Sequence, residues 1–150
     1  MPDRIVQKIY DTFSDIAASI GYSPIHGRII GALLVKGKPT SLQELAKETG
    51  YSNSMISLSL DLLEILGIVK RIKKAGDRTL YIELQGDLLE CLKSAFLIRV
   101  KKAIKSSLNE FAVNKNKIKD ANIRNTIEIL EKQIKRLEKY VNLLSKIKLP

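Results

Sequence analysis

Hydrophobic and polar positions follow a helical period through the first 67 residues, switch to alternation, and return to a helical period from residue 88 onward. From residue 3 to about 20, Ile5, Ile9, Phe13, Ile16 and Ile20 recur at helical spacing, widened by Val6, Tyr10 and Ala17, and Gly21 ends the run. Ser23 and Pro24 suit the cap and first turn of a second helix, which would bury Ile25, Ile29, Ala32 and Leu33 and close at Gly37. Pro39 leads to Ser41, with Glu44 at capping-box spacing, and Leu42, Leu45 and Ala46 then share one face before Gly50. Ser52 caps a further helix, whose apolar positions Ile56, Leu60 and Leu63 run to Gly67.

After Gly67, residues 68–74 (IVKRIKK) are β-branched and basic, and residues 79–84 (TLYIEL) alternate, with Leu80, Ile82 and Leu84 on one face. The loop Ala75-Gly76-Asp77-Arg78 between them completes a predicted β-hairpin. Asp87 and Glu90 then form another capping pattern, opening a long helix from Leu88 to about Phe111 with Leu92, Ala95, Phe96, Val100, Ala103 and Ile104 along it. The polar stretch 114–117 breaks this helix, and a last one is predicted from about Ile118 to Lys148. Its apolar positions, Ile123, Ile127, Leu130, Ile134, Leu137, Val141 and Leu144, alternate steps of 4 and 3. That is a heptad with β-branched residues at a and leucine at d, a choice that favours two strands. The same stripe could also pack against the chain's own preceding helix, and both can hold in one dimer.

Two short helices joined by a tight turn, Thr40 to Gly67, read as a helix-turn-helix. On the second helix Asn53, Ser54, Ser57, Asp61 and Glu64 share an arc away from the apolar stripe, small polar residues first and acids last. A recognition helix touches base edges mainly with its N-terminal residues, where short side chains allow close approach. The acids would be unwelcome beside phosphate. An ordinary amphipathic helix pair has the same pattern, so the next element matters. A hairpin directly after the second helix is the wing of a winged helix-turn-helix, and this one carries Lys70, Arg71, Lys73, Lys74 and Arg78 against the single acid Asp77. Basic clusters beside a reading helix track phosphates, whereas an isolated hairpin uses lysine to protect its edges.

Composition narrows the class. The chain has 150 residues, is 45% hydrophobic and 28% charged, and carries a net charge of +10, which favours a polyanionic partner. The excess is uneven: residues 1–84 hold 11 basic and 9 acidic side chains (+2), against 15 and 7 in residues 85–150 (+8). Arg99, Lys101, Lys102, Lys105, Lys115, Lys117 and Lys119 are the densest part, read as a solvated face or a second phosphate contact. Cys91 is the only cysteine, which excludes an intramolecular disulfide and fits a reducing compartment, and it falls beside the apolar stripe as a small buried hydrophobe. His26 is the only histidine, read as a surface or interface residue. No apolar run reaches membrane-span length and no secretion signal is visible, so a cytoplasmic protein is expected. No P-loop, GxGxxG, paired metal ligands or nucleophile elbow is present, and the chain reads as neither an enzyme nor a cofactor protein.

The segment GYSPIHGRIIGALLVKGKPTSLQELAKETGYSNSMISLSLDLLEILGIVKR resembles the GbsR-type branch of MarR-like transcriptional regulators. The resemblance lies in Pro24 and Gly31, in Pro39, Ser41, Glu44 and Leu45, and in Ser52, Ser57 and Leu60 running to Leu66-Gly67-Ile68-Val69. It covers about a third of the chain well and the long C-terminal helices in kind. It implies a winged helix-turn-helix head, a helical dimerisation region and control of transcription. Many members have glycine where Ser54 stands and arginine where Asp61 stands, so no contact is carried over at position 61.

The expected fold is therefore mainly α with a small β-hairpin: a winged helix-turn-helix DNA-binding domain with an N-terminal helix over residues 1–85 and a helical dimerisation region over 86–150. The expected function is sequence-specific binding of double-stranded DNA by a homodimer that regulates transcription. DNA contacts are expected at Ser41 and Gln43, at Ser52, Asn53, Ser54 and Ser57, and along the hairpin at Lys70, Arg71, Lys73, Lys74 and Arg78. Dimerisation is expected through the heptad positions of the last helix. A small-molecule effector is compatible with the resemblance, but no aromatic cage or polar pocket is legible. The competing expectation is a winged-helix protein–protein module of a larger assembly.

Overall fold

The computed structural model describes residues 3–150. Its helices are α1 (Arg4–Ser19), α2 (Pro24–Lys36), α3 (Leu42–Thr49), α4 (Asn53–Ile65), α5 (Leu88–Asn114) and α6 (Ala121–Ser145), and its strands β1 (Thr40–Ser41), β2 (Val69–Lys73) and β3 (Leu80–Leu84). The strands form an antiparallel sheet in the order β1-β3-β2. The fold is thus mainly helical with a small sheet, and the chain divides within α5 into one compact unit ending at Leu92 and another from Lys93 to Pro150. Among the described residues, no helix is long and apolar enough to cross a membrane.

In the first unit, the core joins Tyr10 of α1, Ile29 and Leu33 of α2, Leu45 of α3, Ile56, Leu60 and Leu63 of α4, and Val69 and Ile82 of the sheet, all essentially without solvent contact. Burying each such side chain stabilises the fold by about 1.5–3 kcal/mol. Gly27 sets how closely α1 and α2 approach, because a Cβ there would fall inside the Phe13 carbonyl. That approach also fixes which face of α1 is covered. Tyr10 and Ala17 are buried and Val6 and Phe13 pack on the core, whereas Ile5 and Ile16, expected in the buried stripe, are exposed. A periodicity wide enough to fit two faces left that choice to the glycine-lined partner helix.

Polar pillars fasten α3 to this pair. Arg28 of α2 donates to Asp11 at 3.0 Å, to Gln7 at 2.7 Å and to the Thr49 carbonyl at 3.3 Å, with its guanidinium 5.3 Å from the centre of the Tyr10 ring. Tyr10 in turn donates its hydroxyl to Glu48, which pairs with Lys36 at 3.0 Å. The Lys36 ammonium holds the Glu48 carboxyl below the usual range, and burial pushes the Tyr10 hydroxyl up. His26 is half-buried rather than a plain surface residue: it stands edge-on to Tyr22, its Nδ1 has no partner, and burial lowers its pKa. Cys91 packs against the core, with its thiol 3.5 Å from the Gly67 carbonyl, and burial pushes its pKa up. Packed in this way, Cys91 serves as a small hydrophobic side chain.

In the second unit, Leu97, Ile104 and Val141 form a buried cluster, with Val100, Leu108 and Ile134 packed against it. The covered stripe of α5 therefore runs through Leu97 rather than Phe96 and Ala103, both of which are exposed. A short 3-10 turn, Lys115–Lys117, breaks the helices, and α6 starts at Ala121, later than expected, because the Asp120 carboxylate caps the Asn122 and Ile123 amides. The heptad of α6 is split by burial. Its a positions Ile127 and Val141 are buried and Ile134 is half-buried, while Ile123, Leu130 and Leu137, on the d side, are 51%, 42% and 45% exposed.

Candidate nucleic-acid interface

The start of α4 is set by local chemistry. Ser52 accepts a hydrogen bond from the Met55 amide at 3.2 Å, and Ser41 does the same for Glu44 at the start of α3, also at 3.2 Å. Such caps stabilise a helix by about 1 kcal/mol each. Each hydroxyl still keeps its own O–H as a donor, which a phosphate oxygen can accept. Gly50, with φ +78°, turns the chain between the two helices. Gly67, with φ +76°, ends α4 in a Schellman pattern, with Ile68 N–H donating to Leu63 and Gly67 N–H to Glu64. The chain is thereby turned into β2, so the hairpin starts beside the helix it follows.

Asn53 and Ser54 are exposed and Ser57 is half-buried, and all three line one shallow, nearly flat groove with Leu42, Leu58 and Asp61. Gln43 is exposed on α3. At about 100° per residue, the pole opposite Ile56, Leu60 and Leu63 is the row Ser54, Leu58, Asp61 and Ile65. Leu58 and Ile65, 73% and 82% exposed, were absent from the expected face. A search for polar residues passes over them, because leucine and isoleucine count towards the core. Placing every α4 residue on the wheel relative to Leu60 would have found them.

The basic hairpin residues do not form a uniform set. Lys70 pairs with Glu83 across the sheet at 3.0 Å. Arg71, expected on a phosphate, is turned onto α4: it donates to Glu64, to Asp61 and to the Ser57 carbonyl, each at 2.8 Å. The reason is the register of β2, which brings position 71 alongside the acidic end of α4. The acids that looked unfavourable for DNA are thus charge-compensated from the neighbouring strand. Lys74 lies over the Tyr81 ring, 4.6 Å from its centre. Asp77 orders the loop by accepting from the Thr79 amide at 2.9 Å and from the Tyr81 hydroxyl at 3.1 Å. The Thr79 amide holds the Asp77 carboxyl below the usual range, and the bond to Asp77 raises the Tyr81 hydroxyl. Lys73 and Arg78 are exposed and, among the described residues, make no ion pair.

One element of this surface was not legible beforehand. Thr40 and Ser41 form β1, pairing with Ile82 and Tyr81, so the α3 cap is fixed to the sheet that carries the hairpin. Helices α3 and α4 and the hairpin therefore share one frame. Among the described residues, no group of His, Cys, Asp and Glu is placed to hold a metal ion.

No family model matches the chain, and no curated protein matches it. Among solved structures, it is similar to one described as the crystal structure of a transcriptional regulator, at 21% identity and a TM-score of 0.65, over 92% of this chain and 93% of that one. It is also similar to a single-residue mutant of S. aureus MepR bound to an oligodeoxyribonucleotide, at 16% identity and a TM-score of 0.47, over 89% of this chain and 92% of that one. A third is wild-type MarR from E. coli, at 16% identity and a TM-score of 0.46, over 87% of this chain and 91% of that one. The first of these likenesses, over nearly the whole of both chains, shows the fold: a winged helix-turn-helix followed by long C-terminal helices.

Proposed function

We propose that this chain is a sequence-specific regulator of transcription that binds duplex DNA as a homodimer. Residues 1–85 act as the DNA-binding head and residues 86–150 as the dimerisation region. Helix α4 enters the major groove, and the hairpin lies along the phosphates through Lys73, Arg78 and Lys74, with Lys70 at its base. Ser41, Gln43 and Ser52 face the backbone at the two helix starts. The observation that carries the reading is the exposed Asn53-Ser54 pair leading a capped helix, in one groove with Ser57 and in one frame with Lys73 and Arg78, which make no ion pair among the described residues. The likeness to a transcriptional regulator supports the regulatory role. The exposed d side of α6, at Ile123, Leu130 and Leu137, supports a second copy as the dimer partner. The resemblance to the GbsR-type branch of MarR-like regulators belongs to the same proposal, as does a small-molecule effector.

Asn53 tests it. Its amide offers a donor and an acceptor together, the pattern that an adenine edge complements. After selection of a preferred operator from a random library, Asn53→Ala costs about 1–3 kcal/mol on that operator. Binding to random DNA scarcely changes, because phosphate contacts elsewhere carry it. Loss of neither, with the circular dichroism spectrum intact, removes the support for α4 as the reading helix. Exposed Leu58 and Ile65 on that same helix favour a second reading, a winged-helix module that pairs with protein. That module would show salt-insensitive pairing with a protein and no retention on DNA.

A further inference from the structure

Leu58 is an exposed apolar side chain on a surface that also presents hydroxyls, an amide and a carboxylate, with half-buried Leu42 beside it and Ile65 two turns further along its row. It is 73% exposed, yet it stands in the groove with Asn53, Ser54, Ser57 and Asp61, on the row pointing directly away from the α4 core stripe. Ser54 precedes it by one helical turn and Asp61 follows it by about one turn. The Asp61 carboxylate beside it is held by Arg71 at 2.8 Å, so the leucine is not flanked by an uncompensated anion. Arg71 also donates to the Ser57 carbonyl, which ties this side of α4 to β2, the strand that carries Lys73.

We propose that Leu58 is a specificity-determining residue that reads the C5-methyl group of a thymine in the major groove. The inference rests on the DNA-binding reading above and deepens it. On the floor of the major groove, bases offer donors and acceptors at every pair, but thymine alone among the four adds an apolar group, its methyl. A side chain that cannot hydrogen-bond discriminates there only by covering that methyl. Leu58 has the reach and the exposure for it, and Ser54 and Ser57 are short enough to let the helix approach. A cytosine or a uracil at the same step leaves the leucine facing bare ring edge. Lys73 on β2 and Arg78 in the loop beyond it, which make no ion pair among the described residues, make a polyanion the occupant that the charges favour.

The experiment uses the full chain and an operator selected from a random duplex library, with each thymine replaced in turn by deoxyuridine, which removes the methyl alone. One thymine in each half-site should weaken binding about four-fold on replacement, the effect of one methyl transferred out of water. Leu58→Ala should bind the thymine and uracil forms of that site equally, and its exposed position leaves the fold intact by circular dichroism. If the protein selects a sequence but ignores every thymine-to-uracil change, this inference falls while the DNA-binding reading stands. If Leu58→Ala still discriminates thymine from uracil, the methyl is read elsewhere and the inference also falls. If no duplex is bound at all, both fail together.

Discussion

Arg71 on β2 and Asp61 on α4 meet at 2.8 Å, and the same guanidinium reaches Glu64 at 2.8 Å, so one cation from the wing serves both acids of the proposed reading helix. The acids are 60% and 44% exposed at their side chains, and exposed pairs of this kind contribute only about 0.2–1 kcal/mol each to folding. Their main consequence is electrostatic and lies at the proposed DNA-binding surface. Arg71→Ala is therefore expected to lower the urea midpoint slightly and to weaken DNA binding at least ten-fold. Adding Asp61→Asn and Glu64→Gln to that variant should restore most of the affinity. A triple variant no tighter than Arg71→Ala would mean that the guanidinium itself touches DNA.

The hairpin cations should separate by their partners. Lys73 and Arg78 are unpaired among the described residues, whereas Lys70 is held by Glu83 at 3.0 Å. Alanine at position 73 or 78 should reduce the slope of log affinity against log salt by about 0.9 for each phosphate left unneutralised. Alanine at position 70 should leave the slope nearly unchanged. Fluorescence anisotropy over a salt series on random duplex checks this, and equal slopes in all three variants would return the hairpin to an uninvolved, solvated role.

Leu137 lies on the uncovered d side of α6 and is 45% exposed. Leu137→Lys should leave the single chain folded, because the covered positions Ile127 and Val141 are untouched. In a dimer it would bury an unpaired charge at the seam, which costs several kcal/mol. Sedimentation should show monomer, and a variant still dimeric at micromolar concentration would place the seam elsewhere.

Gly27 and Gly37 should respond differently to alanine. At Gly27 the added methyl meets the Phe13 carbonyl and the Ser14 amide, both backbone groups of α1 that cannot step aside. Gly27→Ala should cost about 3 kcal/mol or more. At Gly37 the space is open and the penalty comes from φ +65° alone, about 1–2 kcal/mol. Thermal or urea unfolding of the two variants gives the order directly, and a reversed order would contradict the close approach of α1 and α2.

What the sequence determined by itself is the local grammar. Helices α3 and α4 begin at the caps Ser41 and Ser52, α2 begins at Pro24 after a Ser23 whose side chain makes no capping hydrogen bond, and the three stop at or next to Gly37, Gly50 and Gly67, because helix starts and left-handed turns are decided within a few residues of chain. Alternation over residues 79–84 marks β3, and the heptad of α6 is legible for the same reason. The Asp120 cap was also a local signal, and it places the start of α6 once an Asp is sought ahead of the apolar run.

The tertiary structure alone decided everything that joins distant segments. The two-residue β1 exists only because Thr40 meets Ile82, a partner some forty residues away, and no propensity of Thr-Ser announces it. The buried face of α1 depends on the bare backbone that Gly27 offers to it, so Ile5 and Ile16, apolar and correctly spaced, remain in water. Arg71 reads as one more cation in a basic strand until the Gly67 turn brings β2 beside α4 and hands its charge to Asp61 and Glu64. Periodicity locates a helix and its faces; which face finds a partner, and which charge is already spoken for, is settled by the elements packed alongside.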